Sequence, residues 1–93
     1  MTKIEDLRKK IDEVDEEIAR SYLKRLALSE EMAKAKGETG LETYDPEREK
    51  EIVSRLTEGL GERQKRAIID LYAVIFAESK AIQEETRKEE REG

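Results

Sequence analysis

The sequence contains no cysteine and no histidine among its 93 residues. Without cysteine the chain has no disulfide and no thiol nucleophile, and without histidine it has no Ser-His-Asp triad and no zinc site with the usual ligands. Aromatic residues make up 4% of the chain and hydrophobic residues 35%, below the roughly 45–50% that is typical of globular domains. Because so little apolar material is available, long amphipathic helices that share a core with a second chain fit the composition better than a spherical monomer.

Charged residues make up 46% of the chain, with 19 Lys and Arg against 24 Asp and Glu, so the net charge is −5. An acidic protein is poorly suited to bind nucleic acid or an anionic membrane through its overall field. No apolar run approaches the ~20 residues that span a bilayer, and the first residues lack the apolar stretch of a signal peptide. We therefore expect a cytoplasmic protein that has neither nucleic acid nor a membrane as a partner.

Proline and glycine are scarce, and their positions divide the chain. Pro46 is the only proline and follows Asp45, a pair that is typical of a helix start. Four of the five glycines lie in residues 37–40 and 59–61, where they favour loops. We predict an all-α fold in a single domain over 1–93, with a long helix over about 3–36, a loop over 37–44, a short helix over about 46–58, a turn over 59–61 and a long helix over about 62–90.

The first predicted helix carries a heptad seam. Apolar residues recur at alternating spacings of three and four, at Ile4, Leu7, Ile11, Val14 and Ile18. This spacing is typical of a helix that packs against another helix. When the register is continued, Arg25 falls on the seam, where a guanidinium is costly unless an anion meets it.

Other polar side chains fall on faces that should be apolar. Ser79 and Gln83 lie four residues apart on the apolar stripe of the last helix, and Arg48 and Glu49 precede apolar positions of the short helix. Taken singly, each is also compatible with a solvated charge, a helix-dipole contact or a side chain satisfied by the backbone. The whole inward-facing polar set is Arg8, Arg25, Lys36, Arg48, Glu49, Ser79 and Gln83. This set suits a small dianion with a hydroxyl group, and it offers no near-neutral base for hydrolysis.

The motifs that hold these residues closely resemble those of the all-helical chorismate mutases. The matching segments are Leu7-Arg8-x-x-Ile11-Asp12, Lys24-Arg25, Lys34-Ala35-Lys36, Asp45-Pro46-x-Arg48-Glu49 and Ser79-x-x-x-Gln83. The most specific of them are D-P-x-R-E and the final S-x-x-x-Q. The resemblance implies an isomerase that converts chorismate to prephenate in phenylalanine and tyrosine biosynthesis, by an intramolecular Claisen rearrangement. It also implies that the enzyme needs no cofactor or metal and forms an intertwined helical homodimer.

The resemblance implies that Arg25, Lys36 and Gln83 are the catalytic residues. Arg25 and Arg8 pair with the two carboxylates of the substrate, while Lys36 and Gln83 donate to its ether oxygen. On one straight helix Arg8 and Lys36 are roughly 42 Å apart, which no small ligand spans. If the first helices of two chains run antiparallel, each site can take its Arg8 from the partner chain.

The remaining matches are implied to bind substrate. Glu49 accepts a hydrogen bond from the ring hydroxyl, assisted by the backbone at Asp45. Arg48 helps to fix the charges of the site, and Ser79 forms a hydrogen bond near the ring-side carboxylate.

Two alternatives stand beside the mutase. Isochorismate-pyruvate lyases share the fold and much of the cationic site, but they tend to lack the acidic residue found here at Glu49 and the serine found here at Ser79. A non-catalytic helical interaction module accounts for the seam but leaves the polar residues on the inward faces unexplained.

Overall fold

The computed structural model describes residues 2–92, which form three α-helices joined by two short connections. Helix α1 spans Lys3–Thr39, α2 spans Pro46–Thr57 and α3 spans Glu62–Glu92. This part of the chain contains no β-strand, so the predicted all-α fold of a long, a short and a long helix is confirmed. None of these three helices combines the length and the low polarity needed to cross a bilayer.

Local hydrogen bonds define where two of the helices begin. Thr2 precedes α1 in an extended conformation, and its Oγ1 accepts from the Glu5 N–H at 3.1 Å. Asp45 does the same for α2, where its Oδ1 accepts from the Arg48 N–H at 3.1 Å and Pro46 occupies the start of the helix. Each cap satisfies an N–H group that the first helical turn leaves without an internal partner.

Helix α1 ends at Thr39, beyond the predicted end near residue 36. Gly37 remains helical, because a single interior glycine costs only about 1 kcal/mol relative to alanine. The helix stops at Gly40, whose φ of 74° lies in the left-handed region that glycine favours. The Leu41 N–H then donates to the Lys36 carbonyl at 2.9 Å and closes the helix end. The prediction placed the end at the first glycine, whereas the left-handed residue is the second.

The other boundaries differ from the prediction by one to three residues. The loop covers 40–45 rather than 37–44, and α3 continues to Glu92 rather than ending near residue 90. Helix α2 ends at Thr57, because Glu58 already leaves the helical conformation before the left-handed Gly59, whose φ is 76°. Predicted and observed helix ends differ by such small amounts mainly because the last turn can continue for a different number of residues.

The two long helices pack side by side in the same direction. Arg25 of α1 lies beside Ser79 of α3, and further along both helices Gly37 lies beside Arg87. Helix α2, which lies between the two long helices in the sequence, packs against α3. Within residues 2–92 the Cα atoms of α1 and α2 do not approach within 8 Å. A gap therefore opens between α1 and α2.

A single chain buries very little apolar surface. Among residues 2–92 the only apolar residue classed as buried is Ala33, and the other buried residues are Ser29, Ser79 and Thr86. The Ser29 and Thr86 hydroxyls donate to carbonyls of their own helices, those of Arg25 at 3.1 Å and Ile82 at 2.9 Å. Small residues with satisfied hydroxyls allow α1 and α3 to approach closely, but they add little hydrophobic stabilisation.

The shape of the chain is elongated, and its heptad seam is uncovered. The radius of gyration is 17.1 Å, against about 12 Å for a compact chain of this length. The seam residues Ile4, Leu7, Ile11, Val14 and Ile18 each expose between 47% and 62% of their surface. The seam of α1 is therefore largely uncovered within the described chain.

Candidate active site

A cavity of about 470 Å³ occupies the gap between α1 and α2. It is bounded by the C-terminal half of α1, the loop 40–45, the first turns of α2 and the C-terminal half of α3. Its apolar walls include Leu28, Met32, Ile52 and Phe76, and between them several polar side chains converge. A cavity of this size and character falls in the range of about 300–1,000 Å³ that small-molecule sites occupy.

The structure brings seven of the eight residues predicted for the site to this cavity. They are Arg25, Lys36, Asp45, Arg48, Glu49, Ser79 and Gln83. Arg8 is the exception, because it is exposed on α1 and lies about 26 Å along the helix from Arg25. The grouping of these side chains is a structural observation, while their roles toward a substrate stay predictions.

Arg25 is held on one side by α3. Its Nη1 donates to Ser79 Oγ at 2.6 Å, and its guanidinium carbon lies 5.8 Å from the ring centre of Tyr72 and 5.7 Å from that of Phe76. Both distances are within the range of a cation–π contact. Among residues 2–92 no carboxylate forms an ion pair with Arg25. Since a guanidinium has five N–H donors, most of them are available to an anion in the cavity.

Lys36 is held by the loop that closes one end of the cavity. Its side chain is half-buried, and its Nζ donates to the Thr43 carbonyl at 3.1 Å. Within the described chain it forms no ion pair. An ammonium has three donors, so the bond to Thr43 leaves the others for a ligand while it limits where the Nζ can lie.

Gln83 carries an unsatisfied polar atom. Its Oε1 is buried and has no hydrogen-bond partner in residues 2–92. A buried polar atom without a partner costs about 1–3 kcal/mol, so such atoms are uncommon outside sites that bind something. Rotation of the amide about its last bond exchanges the oxygen with the NH2 group, so this position can offer a ligand either an acceptor or a donor.

The start of α2 supplies the acidic part of the site. Asp45 caps the helix with its side chain, while Glu49 is half-buried and lines the cavity one turn later. Arg48 forms an ion pair with Glu51 at 2.8 Å, and its side chain is 51% exposed. An exposed pair of this kind stabilises the fold by about 0–1 kcal/mol, so Arg48 can exchange Glu51 for another anion at little cost.

The sequence reasoning missed several lining residues, of which Lys80 and Tyr44 matter most. Lys80 lines the cavity, and its Nζ lies 4.5 Å from the centre of the Tyr44 ring. A signal for Lys80 was present, because it lies four residues after Phe76 and three before Gln83, on one face of α3. Tyr44 and Thr43 belong to a loop without periodicity, so no sequence pattern indicated them.

The charges of the lining favour an anionic ligand. Four cationic residues, Arg25, Lys36, Arg48 and Lys80, face two carboxylate residues, Asp45 and Glu49. The surplus of two positive charges matches a small dianion, although the chain as a whole is acidic. In residues 2–92 no three acidic side chains are grouped so that they could hold a metal ion.

Comparisons with known proteins agree with this chemistry. The family model described as chorismate mutase type II matches residues 7–84. A chorismate mutase of Methanocaldococcus jannaschii is 32% identical over 89 residues, which is 94% of this chain and 90% of that protein. A bifunctional chorismate mutase/prephenate dehydratase of Aquifex aeolicus is 38% identical over 56 residues, which is 60% of this chain but only 16% of that protein.

The match to the family model spans all eight residues predicted for the site, from Arg8 to Gln83. It confirms the resemblance that was drawn from the D-P-x-R-E and S-x-x-x-Q motifs, and it confirms the predicted class of enzyme. The M. jannaschii protein matches over 90% of its length, so the similarity is not limited to one segment of either chain. The chain therefore belongs to the chorismate mutase type II family.

Proposed function

We propose that this protein isomerises chorismate to prephenate in the cavity between α1 and α2, and that a second copy of the chain completes each site. The reaction is intramolecular: the ether C–O bond breaks, a C–C bond forms, and no atom is gained or lost. The observation that carries the proposal is the convergence of Arg25, Lys36 and Gln83 on one cavity, with Glu49 contributed by α2.

Arg25 binds one of the two carboxylates of the substrate. Its guanidinium is fixed by Ser79 and by two aromatic rings, so it loses little freedom when an anion arrives. A planar guanidinium pairs with a carboxylate through two parallel hydrogen bonds, which sets the orientation of the ligand as well as its affinity. The second carboxylate is bound by Arg8 of the partner subunit.

Lys36 and Gln83 stabilise the ether oxygen of the substrate. Negative charge grows on this oxygen as the C–O bond breaks, so a donor aimed at it binds the transition state more strongly than the ground state. Lys36 approaches from α1 and Gln83 from α3, so the oxygen receives hydrogen bonds from two sides. The restraint of Lys36 by Thr43 favours this function, because the donor is positioned before the substrate arrives.

The remaining predicted residues orient the ring. Glu49 accepts a hydrogen bond from the ring hydroxyl, and the backbone at Asp45 assists it. Arg48 helps to fix the charges at the α2 end of the cavity. Ser79 contacts the ring-side carboxylate of the substrate while it also holds Arg25. Together they hold the flexible enolpyruvyl arm over the ring in a compact conformer, which removes an entropic part of the barrier.

The homodimer is part of the proposal because one chain alone lacks both a core and a complete site. Ordering a residue costs about 1–2 kcal/mol of backbone entropy, which a chain with only Ala33 among its buried apolar residues is poorly equipped to offset. The exposed seam from Ile4 to Ile18 has the spacing that another helix would cover. Arg8 lies on the same half of α1, away from its own cavity.

The positions along α1 indicate where the two-fold axis of the dimer passes. If two antiparallel copies of α1 cross at Ile18, residue 8 of one copy lies opposite residue 28 of the other. Leu28 lines the cavity, so this arrangement delivers Arg8 of the partner subunit to the cavity wall between Arg25 and Lys36. In this arrangement Ile4, Leu7, Ile11 and Val14 of each copy lie opposite residues 22–32 of the other, and the two copies of Ile18 meet at the axis.

The proposal includes a place of action. Prephenate formation belongs to the biosynthesis of phenylalanine and tyrosine, and we propose the cytoplasm as the compartment, as expected from the sequence. Association with nucleic acid or a membrane is not part of this function.

The experiment that tests the function uses the purified full-length chain. We expect the protein to consume chorismate, which is monitored by ultraviolet absorbance. NMR should identify the product as prephenate. Arg25→Met is the matched variant, and it should lower kcat/KM by about 10² or more, since it removes the half-buried guanidinium proposed to pair with a substrate carboxylate. Isochorismate, tested in parallel, distinguishes the lyase alternative, which would release pyruvate. Conversion no faster than the uncatalysed reaction, or pyruvate as the product, would contradict the proposal.

A further inference from the structure

The loop 40–45 carries the carbonyl group that restrains Lys36, and the first peptide units of this loop are held from two sides. The Leu41 N–H donates to the Lys36 carbonyl at 2.9 Å. The Leu41 carbonyl accepts from Arg87 Nη1 of α3 at 2.8 Å. Thr43, whose carbonyl receives the Lys36 ammonium at 3.1 Å, lies only two residues further along. The position of the Thr43 carbonyl therefore depends on how firmly Leu41 is held.

Arg87 reaches the loop by crossing the last turns of α1 at Gly37. A Cβ atom on Gly37 would lie 3.3 Å from Arg87 Nε and 3.4 Å from Arg87 Cδ, which is tighter than ordinary contacts. Gly37 is helical, so its backbone does not require glycine. A glycine inside a helix costs about 1 kcal/mol relative to alanine. The close passage of Arg87, together with Glu90 Oε2 at 3.4 Å from the same position, accounts for a small residue here.

Arg87 itself lies outside the cavity. It is half-buried and does not line the cavity wall. Its contact with the site is indirect, from its guanidinium to the Leu41 carbonyl, along the loop to Thr43, and from the Thr43 carbonyl to Lys36. A guanidinium is suited to this task, because it forms charge-assisted hydrogen bonds that are shorter and stronger than neutral ones.

We propose that Arg87 is a positioning residue for catalysis. It fixes the loop 40–45 so that the Thr43 carbonyl aims the Lys36 ammonium into the cavity, and Gly37 leaves the space for it to do so. This inference rests on the proposed function of Lys36 as the donor to the ether oxygen. Arg87 contributes to kcat through Lys36 and makes no contact with the substrate.

The first test compares Arg87→Met with Arg91→Met. Both substitutions remove one cation from the C-terminal turns of α3, but Arg91 is exposed and outside the cavity. We expect Arg87→Met to lower kcat roughly tenfold with KM within about threefold of wild type, since a misplaced donor affects the transition state more than ground-state binding. Arg91→Met should keep the wild-type kcat. Equal kcat values for the two variants would overturn the proposal.

The second test repeats Arg87→Met in a Lys36→Met background. If Arg87 acts through Lys36, the double variant should have the same kcat as Lys36→Met alone, so the two effects are not additive. A further tenfold loss in the double variant would show that Arg87 acts by another route and would overturn the proposal. A Lys36→Met single variant with wild-type kcat would instead contradict the proposed role of Lys36 as the donor to the ether oxygen, so the two failures are distinguishable.

Gly37→Ala provides a route that does not depend on the folding of Arg87→Met. The added methyl group crowds Arg87 but raises helix propensity, so we expect kcat to fall about threefold while the unfolding temperature stays equal or rises. Hydrogen exchange at the Leu41 amide should become faster in the same variant, because the loop is released. A Gly37→Ala protein with wild-type kcat and wild-type exchange at Leu41 would overturn the proposal.

Discussion

Arg25 and Ser79 join the two long helices, with Nη1 of the arginine 2.6 Å from Oγ of the serine although 54 residues separate them in sequence. The bond fixes how α1 and α3 are placed along each other at the level of the cavity. It also commits one of the five guanidinium donors and leaves the others free. A single contact thus helps to hold the fold and positions the guanidinium that is proposed to bind an anion, so a change in the packing of these helices should also change the site.

The first prediction tests whether Arg8 serves the partner's site. Arg8→Ala and Arg25→Ala proteins should each be nearly inactive. After the two are mixed and exchange subunits, about half of the dimers are mixed, and one site in each mixed dimer has both arginines, so about a quarter of the wild-type activity should return. Arg20→Ala, which changes an exposed arginine on α1 outside the cavity, is the control and should stay active alone. Demonstrated exchange without recovery would mean that Arg8 acts within its own chain or not at all.

The second prediction concerns Lys36. Replacement by methionine keeps the length of the side chain but removes the proposed donor to the ether oxygen. We expect kcat to fall by about 10²–10³, the usual loss when one donor to a developing negative charge is removed. Lys34→Met, on an exposed position of the same helix, should retain the wild-type rate. A Lys36→Met enzyme within threefold of the wild-type kcat would refute the role of Lys36.

The third prediction gives Gln83 a pH signature. The glutamine amide donates at any ordinary pH, whereas the carboxyl introduced by Gln83→Glu donates only when it is protonated. The variant should therefore be active below the pKa of the new carboxyl, whose reference value is about 4.3, and kcat/KM should fall about tenfold per pH unit above it. Burial and the anionic substrate raise this pKa, while Lys36 lowers it.

Gln64→Glu makes the same chemical change at an exposed position near the start of α3. Its pH profile should match that of the wild type, which stays comparatively flat over the same range. If Gln83→Glu also kept a wild-type profile and a wild-type rate at pH 8, Gln83 would not contact the reacting oxygen.

The fourth prediction concerns the seam of α1. Val14 is 52% exposed in the single chain but lies in the proposed dimer interface. Val14→Glu places an unpaired charge there, so we expect the dimer dissociation constant to rise by roughly 10² or more, measured by analytical ultracentrifugation. Glu16→Lys lies on the opposite face of α1 and should leave dimerisation unchanged. Equal dissociation constants for the two variants would exclude the seam as the interface.

The helices were predictable because their signals are local. The alternating spacing of the first helix and the Asp45-Pro46 start of the second depend only on neighbouring residues. The end of α1 was not predictable from the glycine pattern, because Gly37 and Gly40 look alike in sequence and differ only in the conformation that the fold requires. The explanation for Gly37 lies in Arg87, which is 50 residues away in the chain.

The residues of the site also differ in whether a local pattern in the sequence indicates them. Polar residues on otherwise apolar helical faces, such as Arg25 and Gln83, stand out against a periodic background, and the structure brings both to the cavity. Lys80 was not predicted because one lysine does not stand out on a helix that is rich in charged residues, although its spacing from Gln83 was visible. Thr43 contributes a backbone carbonyl. Every residue type has this group, so the identity of the residue could not indicate the contact.

Ala33 is the only buried apolar residue within residues 2–92, so in the proposed dimer the stability of the fold would depend on protein concentration. If the hydrophobic core forms only between copies, chain association and chain folding are one event, and mass action governs both. The midpoint of thermal unfolding should then rise with protein concentration, and specific activity should fall on dilution below the dissociation constant. For such an enzyme, the level of expression determines the fraction of chains that are folded as well as the number of active sites.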